Sequence, residues 1–116
     1  MTTATSQDTL DHILGAGALT WSWWRNCDIT QDAGLPGGWQ AAITGVLDGK
    51  RVTATITHGD VLKTARQVLA ARPEHASDAL VSECRNLLFD ADEADFDAVS
   101  SDELLQLAVF GRITYG

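Results

Sequence analysis

The sequence predicts an α+β fold: a small, mostly antiparallel β-sheet of three to four strands with helices packed on one face, in the order α-β-β-β-α-α-α-β. Three observations carry that expectation. Strand-like alternation is gathered between Leu19 and Thr57, helical spacing of apolar residues follows from Val61 to Phe110, and Asp48-Gly49 sits between two β-prone runs as a hairpin turn. Strands segregated from helices point to helices layered on one side of a sheet. With 116 residues the chain is long enough for one core, and the expected organisation is a disordered tail over residues 1–6 followed by a single domain over 7–116.

The elements follow in order. Ser6 or Asp8 can start a short helix with Leu10, Ile13 and Leu14 on one face, and Gly15 and Gly17 end it. GAGALT lacks the third glycine of a dinucleotide fingerprint and precedes a strand, so it carries no cofactor expectation. From Leu19 to Ile29 the chain reads as a strand, because side chains of a strand alternate between faces. Leu19, Trp21, Trp23, Cys27 and Ile29 then share an apolar face with Arg25, and Trp24 stands alone among Thr20, Ser22, Asn26 and Asp28. Trp21 and Trp23 are therefore expected in the core. Trp24 is either covered by a loop or helix, or offered to a partner as an anchor.

TQDAGLPGG is a loop. A two-residue Asp48-Gly49 turn then pairs Leu47 with Lys50, Gly45 with Val52, Ile43 with Ala54 and Ala41 with Ile56, which places the last three pairs on one apolar face and the threonines on the other. Thr57 and Asp60 make a capping box for a helix that buries Val61, Leu62, Ala65, Val68 and Leu69 and stops at Pro73. Ser77 caps the next helix, to about Phe89, with Leu80, Val81, Cys84, Leu87 and Leu88 inward. Ser100 and Glu103 form a further capping box for the last helix, which buries Leu104, Leu105, Ala108 and Val109. Gly111 ends it, and ITY is β-prone enough for an added edge strand.

The charge is uneven. Residues 1–73 hold six acids against six bases, whereas residues 74–116 hold ten acids against Arg85 and Arg112, so the whole net charge of −8 lies in the second part. That balance offers no basic patch for direct nucleic-acid binding and favours a protein partner with a basic surface. The segment from Asp90 to Glu103 alone carries seven carboxylates. Set against a calcium loop, Asp90 and Asp92 fit the first two ligand positions. Ala94 then fills the third, Asp95 replaces the glycine, and Ser101 stands where the bidentate glutamate belongs, so no metal is expected. Cys27 and Cys84 have no ligand spacing and read as buried free thiols. No apolar run reaches a membrane span, and the first residues have neither the basic nor the apolar region of a signal peptide, so a cytoplasmic location is expected.

The stretches RVTATITHGDVLKTARQVL and DFDAVSSDELLQLAVFGRITYG resemble small uncharacterised proteins of actinobacteria, their phages and mobile elements. The resemblance brings no activity and no site residue; it implies an accessory role. With no catalytic constellation and no cofactor motif, the expected function is a non-enzymatic accessory factor. It would modulate or inhibit a host or defence protein through an acidic surface, with imitation of nucleic acid as the sharper form. The partner-binding candidates are Trp24, Asp90, Asp92, Glu93, Asp95 and Asp97. The alternative is a small enzyme or ligand binder with a pocket between sheet and helices, drawing on His58, Asp28, Arg25 and Cys27.

Overall fold

The computed structural model describes residues 2–15 and 17–116. They run as α1 (Ser6–Leu14), β1 (Trp24–Gln31), β2 (Trp39–Leu47), β3 (Lys50–Thr57), α2 (His58–Ala70), α3 (Asp78–Phe89) and α4 (Ala98–Phe110), with single 3-10 turns at Ala18–Thr20, Pro36–Gly38 and Ala91–Glu93. This is the α+β class in the expected order as far as α4.

The sheet is antiparallel with strand order β1-β2-β3. The β2–β3 hairpin has the register that the Asp48-Gly49 turn dictates, including Gly45 opposite Val52 and Ile43 opposite Ala54. Asp48 and Gly49 both take positive φ, 53° and 78°, as a two-residue hairpin turn of this hand requires. On the outer face Thr44 and Thr53 share a hydrogen bond of 2.8 Å. Ala41, Ile43, Gly45 and Ile56 point inward and are covered by the helices.

β1 departs from the expectation. Its pairing runs Trp24 opposite Gly45, then Asn26 opposite Thr44 and Cys27 opposite Ile43, with an irregularity between Trp24 and Asn26. The extra residue, Arg25, is a β-bulge, and a bulge changes the parity of the faces. Trp24 therefore falls on the same side as Cys27, facing the core. The strand also starts late: residues 19 and 20 belong to a 3-10 turn, and the Trp24 amide donates to the Trp21 carbonyl across a tight turn (3.1 Å).

The helices obey their caps. α1 is capped by Thr5 with Asp8, α2 by Thr57 with Asp60, and α3 by Ser77. α4 begins one capping box earlier than expected, at Asp97 with Ser100, which frees Glu103 for another task. The inward residues of α2 and α3 include Val61, Ala65, Val68, Leu80, Cys84, Leu87 and Leu88, all buried. Val81, Leu62 and Leu69 are half-buried at the margins.

Two further corrections concern the ends. Residues 2–5, within the expected disordered tail, are pinned to the end of α3. Thr2 N–H donates to Phe89 O (2.9 Å), Ala4 N–H to Leu87 O (2.8 Å), and Ala4 is buried; Met1 lies outside the described residues. The C-terminal ITY segment does not add a strand. The side-chain oxygen of buried Gln106 accepts the N–H groups of Thr114 (2.8 Å) and Tyr115 (2.9 Å), and its amide donates to Tyr115 O (2.8 Å). A glutamine side chain thus satisfies backbone groups that a sheet edge would otherwise have taken.

α4 is the centre of the molecule. It packs on β2, β3 and all three other helices. Its apolar anchors are ordinary: Leu104 and Leu105 are fully buried. What is unusual is its buried polar set of Ser100, Ser101, Asp102, Glu103 and Gln106. Burying such groups is tolerable only when each finds a partner, and among the described residues no buried side-chain nitrogen or oxygen is left without one.

Candidate functional site

Of the seven carboxylates between Asp90 and Glu103, the fold separates five from two. Asp90, Asp92, Glu93, Asp95 and Asp97 are exposed, whereas Asp102 and Glu103 are 3 % and 6 % exposed.

The exposed five form a ridge between α3 and α4. The segment is held in shape rather than left loose. Phe96 is buried against the His12 ring at a centroid distance of 5.9 Å. Glu83 accepts the Asp95 N–H (3.1 Å), and the 3-10 turn Ala91–Glu93 is tied to the N-terminal residues through Ala91 N–H to Thr2 O (3.0 Å). Asp97 has a structural duty besides its charge. The Ser100 N–H and then the Ser100 hydroxyl bond to its carboxylate and hold it below the usual aspartate range. The ion pairs among the described residues are Arg72 with Asp78 and Arg112 with Asp48, and His75 Nε2 lies 3.6 Å from a Glu74 oxygen, so none neutralises the ridge.

The buried two do different work. Asp102 Oδ1 accepts the indole N–H of Trp23 (2.8 Å) and of Trp24 (2.7 Å), and Oδ2 accepts from the Gln106 amide (2.7 Å). Glu103 accepts the N–H of Ser77 (2.9 Å) and its hydroxyl (2.6 Å), so the acid that completes the α3 cap comes from α4. All five donors are neutral.

Trp24 is 6 % exposed and stacks on Phe110 at 5.1 Å over Gly45, so the covered alternative is the one realised and Trp24 is no anchor for a partner. Trp21 and Trp23, expected in the core, are instead half-buried at the surface. Trp21 stacks on Trp23 (5.6 Å, 7°) and Trp23 on Tyr115 (5.0 Å, 11°). Tyr115 is fixed by its hydroxyl, which donates to Val46 O (2.6 Å). These three rings wall a cleft of about 400 Å³, with Asp102 and Glu103 also on its lining, Val99 and Ile113 adding apolar surface, and His75 at its side.

The residues considered for catalysis do not meet there. None of Arg25, Cys27, Asp28 or His58 lines the aromatic cleft. Arg25 bonds back to the Ser22 carbonyl and Asp28 accepts from Asn26 on the solvated side of β1. Cys27 is half-buried, and burial followed by the Asp28 charge pushes its thiol pKa up. His58 Nδ1 lies 2.9 Å from the Thr9 hydroxyl, tying α2 to α1, and burial holds its pKa below the usual histidine value.

Sequence reasoning named the ridge but missed the cleft. The ring stack depends on the turn before β1 and on Gln106 anchoring Tyr115, and neither has a signature in composition. The readable signal was the pair Asp102 and Gln106, polar residues four apart within an apolar helix. No family model matches the chain, and no curated protein or solved structure is significantly similar to it. Among the described residues no helix is long and apolar enough to cross a membrane.

Proposed function

We propose that this chain is a non-enzymatic binding protein that engages a protein partner with a basic surface through the ridge Asp90, Asp92, Glu93, Asp95 and Asp97. The observation that carries this reading is the state of those carboxylates: exposed, braced by the core, and, among the described residues, without a cationic side chain paired to any of them. A fixed array of like charges concentrates an opposite potential at one face and accelerates encounter with a basic partner. In its finer form the chain is an accessory factor of a phage or mobile element, and the carboxylates occupy the phosphate-binding surface of a host or defence protein.

The test compares the wild-type chain with the triple variant Asp92→Asn, Glu93→Gln, Asp95→Asn in affinity capture from the source organism. Asp97 is left in place because it caps α4. The reading expects a protein with a basic face that is retained at about 50 mM salt, is released at about 500 mM, and is lost with the variant, since exposed charge attraction is screened within a few ångströms at high salt. Retention of the same proteins by variant and wild type would overturn it. For the finer form, double-stranded DNA should displace the captured partner.

A further inference from the structure

We propose that the cleft walled by Trp21, Trp23 and Tyr115 is a binding site for an organic cation, an ammonium or guanidinium group carried on a small apolar body. The inference is independent of the acidic ridge.

Its first ground is uncompensated charge. Asp102 and Glu103 are consecutive, both more than nine-tenths buried, and both on the lining of the cleft. Buried carboxylates are ordinarily matched by a cation. Here every donor to them is neutral: two indoles, a glutamine amide, and the backbone and hydroxyl of Ser77. None of the ion pairs among the described residues includes either one. An anionic ligand is repelled from such a lining, and a neutral one leaves its charge unanswered.

The second ground is the wall. Aromatic rings attract a cation over their faces, and because Trp21, Trp23 and Tyr115 stack on one another, the faces that can serve are the outer ones of the stack. The rings here are already ordered, Trp23 by its bond to Asp102 and Tyr115 by its bond to Val46 O. Little ordering entropy is therefore left to oppose binding. A volume of about 400 Å³ falls within the range of small-ligand sites and exceeds what a bare ion needs. Val99, 52 % exposed despite its apolar side chain, offers a surface for the body that carries the charge.

The same chemistry can arrive as a free amine or as a lysine side chain, and the probes separate the two. Benzylammonium represents the free amine, acetyl-Gly-Lys-Gly-amide the side chain, and benzyl alcohol the neutral control. The readout is the set of indole ¹H–¹⁵N cross-peaks of the four tryptophans. Trp21 and Trp23 should shift in a saturable manner with a cationic probe, while Trp39, whose indole donates to Ser6 O away from the cleft, should not. Binding should be about tenfold or more tighter than for benzyl alcohol, the order expected of a partly desolvated cation–π contact. The tighter of the two cations identifies the source.

Trp21→Leu removes a half-buried wall and should weaken the cation about fivefold or more, with the Trp39 peak reporting an intact fold. Glu103→Gln should weaken it as well, without affecting the alcohol. If Glu103→Gln does not fold, Trp21→Leu decides alone. Equal affinity for alcohol and ammonium, or no saturable shift with either cation, overturns the proposal.

Discussion

The indole nitrogen of Trp24 lies 2.7 Å from Oδ1 of Asp102, a contact that spans 78 residues and joins the first residue of β1 to the buried face of α4. The same oxygen accepts Trp23, so two successive tryptophans, one turned into the core and one toward the cleft, are fixed by a single atom. The arrangement is possible because Trp23 lies in the turn before β1, outside the strand's alternation, while the bulge at Arg25 places Trp24 on the core side of the sheet.

Asp102→Ala is therefore expected to destabilise the chain strongly. It leaves the buried Trp24 N–H and the Gln106 amide without their acceptor, while the half-buried Trp23 can turn to water. At roughly 1–3 kcal/mol for each buried donor left unsatisfied, the loss should be about 3 kcal/mol. Asp102→Asn should cost less, about 1–2 kcal/mol, because it retains Oδ1 for the indoles but sets an amide against the Gln106 amide. Gln106 cannot flip without giving up Thr114 and Tyr115. Urea unfolding of the three chains measures both values, and equal losses would refute the role given to Oδ2.

Gly45 is opposite Trp24 in the sheet and has no room for a side chain. A Cβ there would lie 2.8 Å from Phe110 Cε1 and 2.9 Å from Trp24 Cζ3. Alanine normally improves on glycine in a strand by about 0.5–1 kcal/mol, yet here overpacking of about 1–3 kcal/mol should win. Gly45→Ala should lower stability and disturb the Trp24–Phe110 stack, visible in near-ultraviolet circular dichroism. Combining it with Phe110→Leu should recover part of the loss. A stabilised single variant would show that the stack yields freely.

These two sites mark where the sequence could be read and where it could not. The β2–β3 register followed from Asp48-Gly49 and the inward run Ala41, Ile43, Gly45, because turn geometry and burial specified the same pairing. The caps at Thr57 and Ser77 were legible for the same reason: the signal is local. Trp24 turns inward because one extra residue inverts a period of two, and nothing in Arg25 announces a bulge; Trp21 and Trp23 escape the alternation because they lie in the turn before the strand. From the sequence, α4 starts with a box of Ser100 and Glu103, whereas in the structure it starts with Asp97 and Ser100. What decided it was the requirement of Ser77 for Glu103, a tertiary contact. The expected last strand failed for a similar reason, its amides being taken by Gln106.

The Ser77–Glu103 pair gives a third prediction. Ser77 Oγ accepts the Leu80 N–H and donates to Glu103, so cap and interhelical bond share one hydroxyl. Ser77→Ala should cost about 1 kcal/mol for the cap and more for the carboxylate it abandons. In a double-mutant cycle with Glu103→Gln the two losses should fall short of additivity by about 1–2 kcal/mol. Strict additivity in denaturant titrations of the four chains would mean that α3 is capped independently of α4.

Cys84 links this region to pH. It is fully buried, and burial first, then the charges of Glu103 and Glu83, push its thiol up to about 12 from an ordinary 9.0. At pH 8 only about one molecule in ten thousand would carry the thiolate in the folded state, so a thiol reagent should modify Cys27 first and Cys84 at the rate of unfolding. The folded value lies above the unfolded one, so the unfolded chain loses its proton first as pH rises. The contribution of the neutral thiol is complete below about pH 9 and is lost between there and about 12, with a slope approaching about 1.4 kcal/mol per pH unit. Cys84→Ala pays a cavity cost that does not depend on pH, so the stability advantage of the wild type over this variant should shrink steadily above pH 9. Glu103→Gln removes one of the charges that raise the thiol, and the advantage should then begin to shrink at the same pH but by a smaller total. A wild-type advantage that stays constant from pH 8 to pH 11 in parallel urea titrations would refute the elevated thiol.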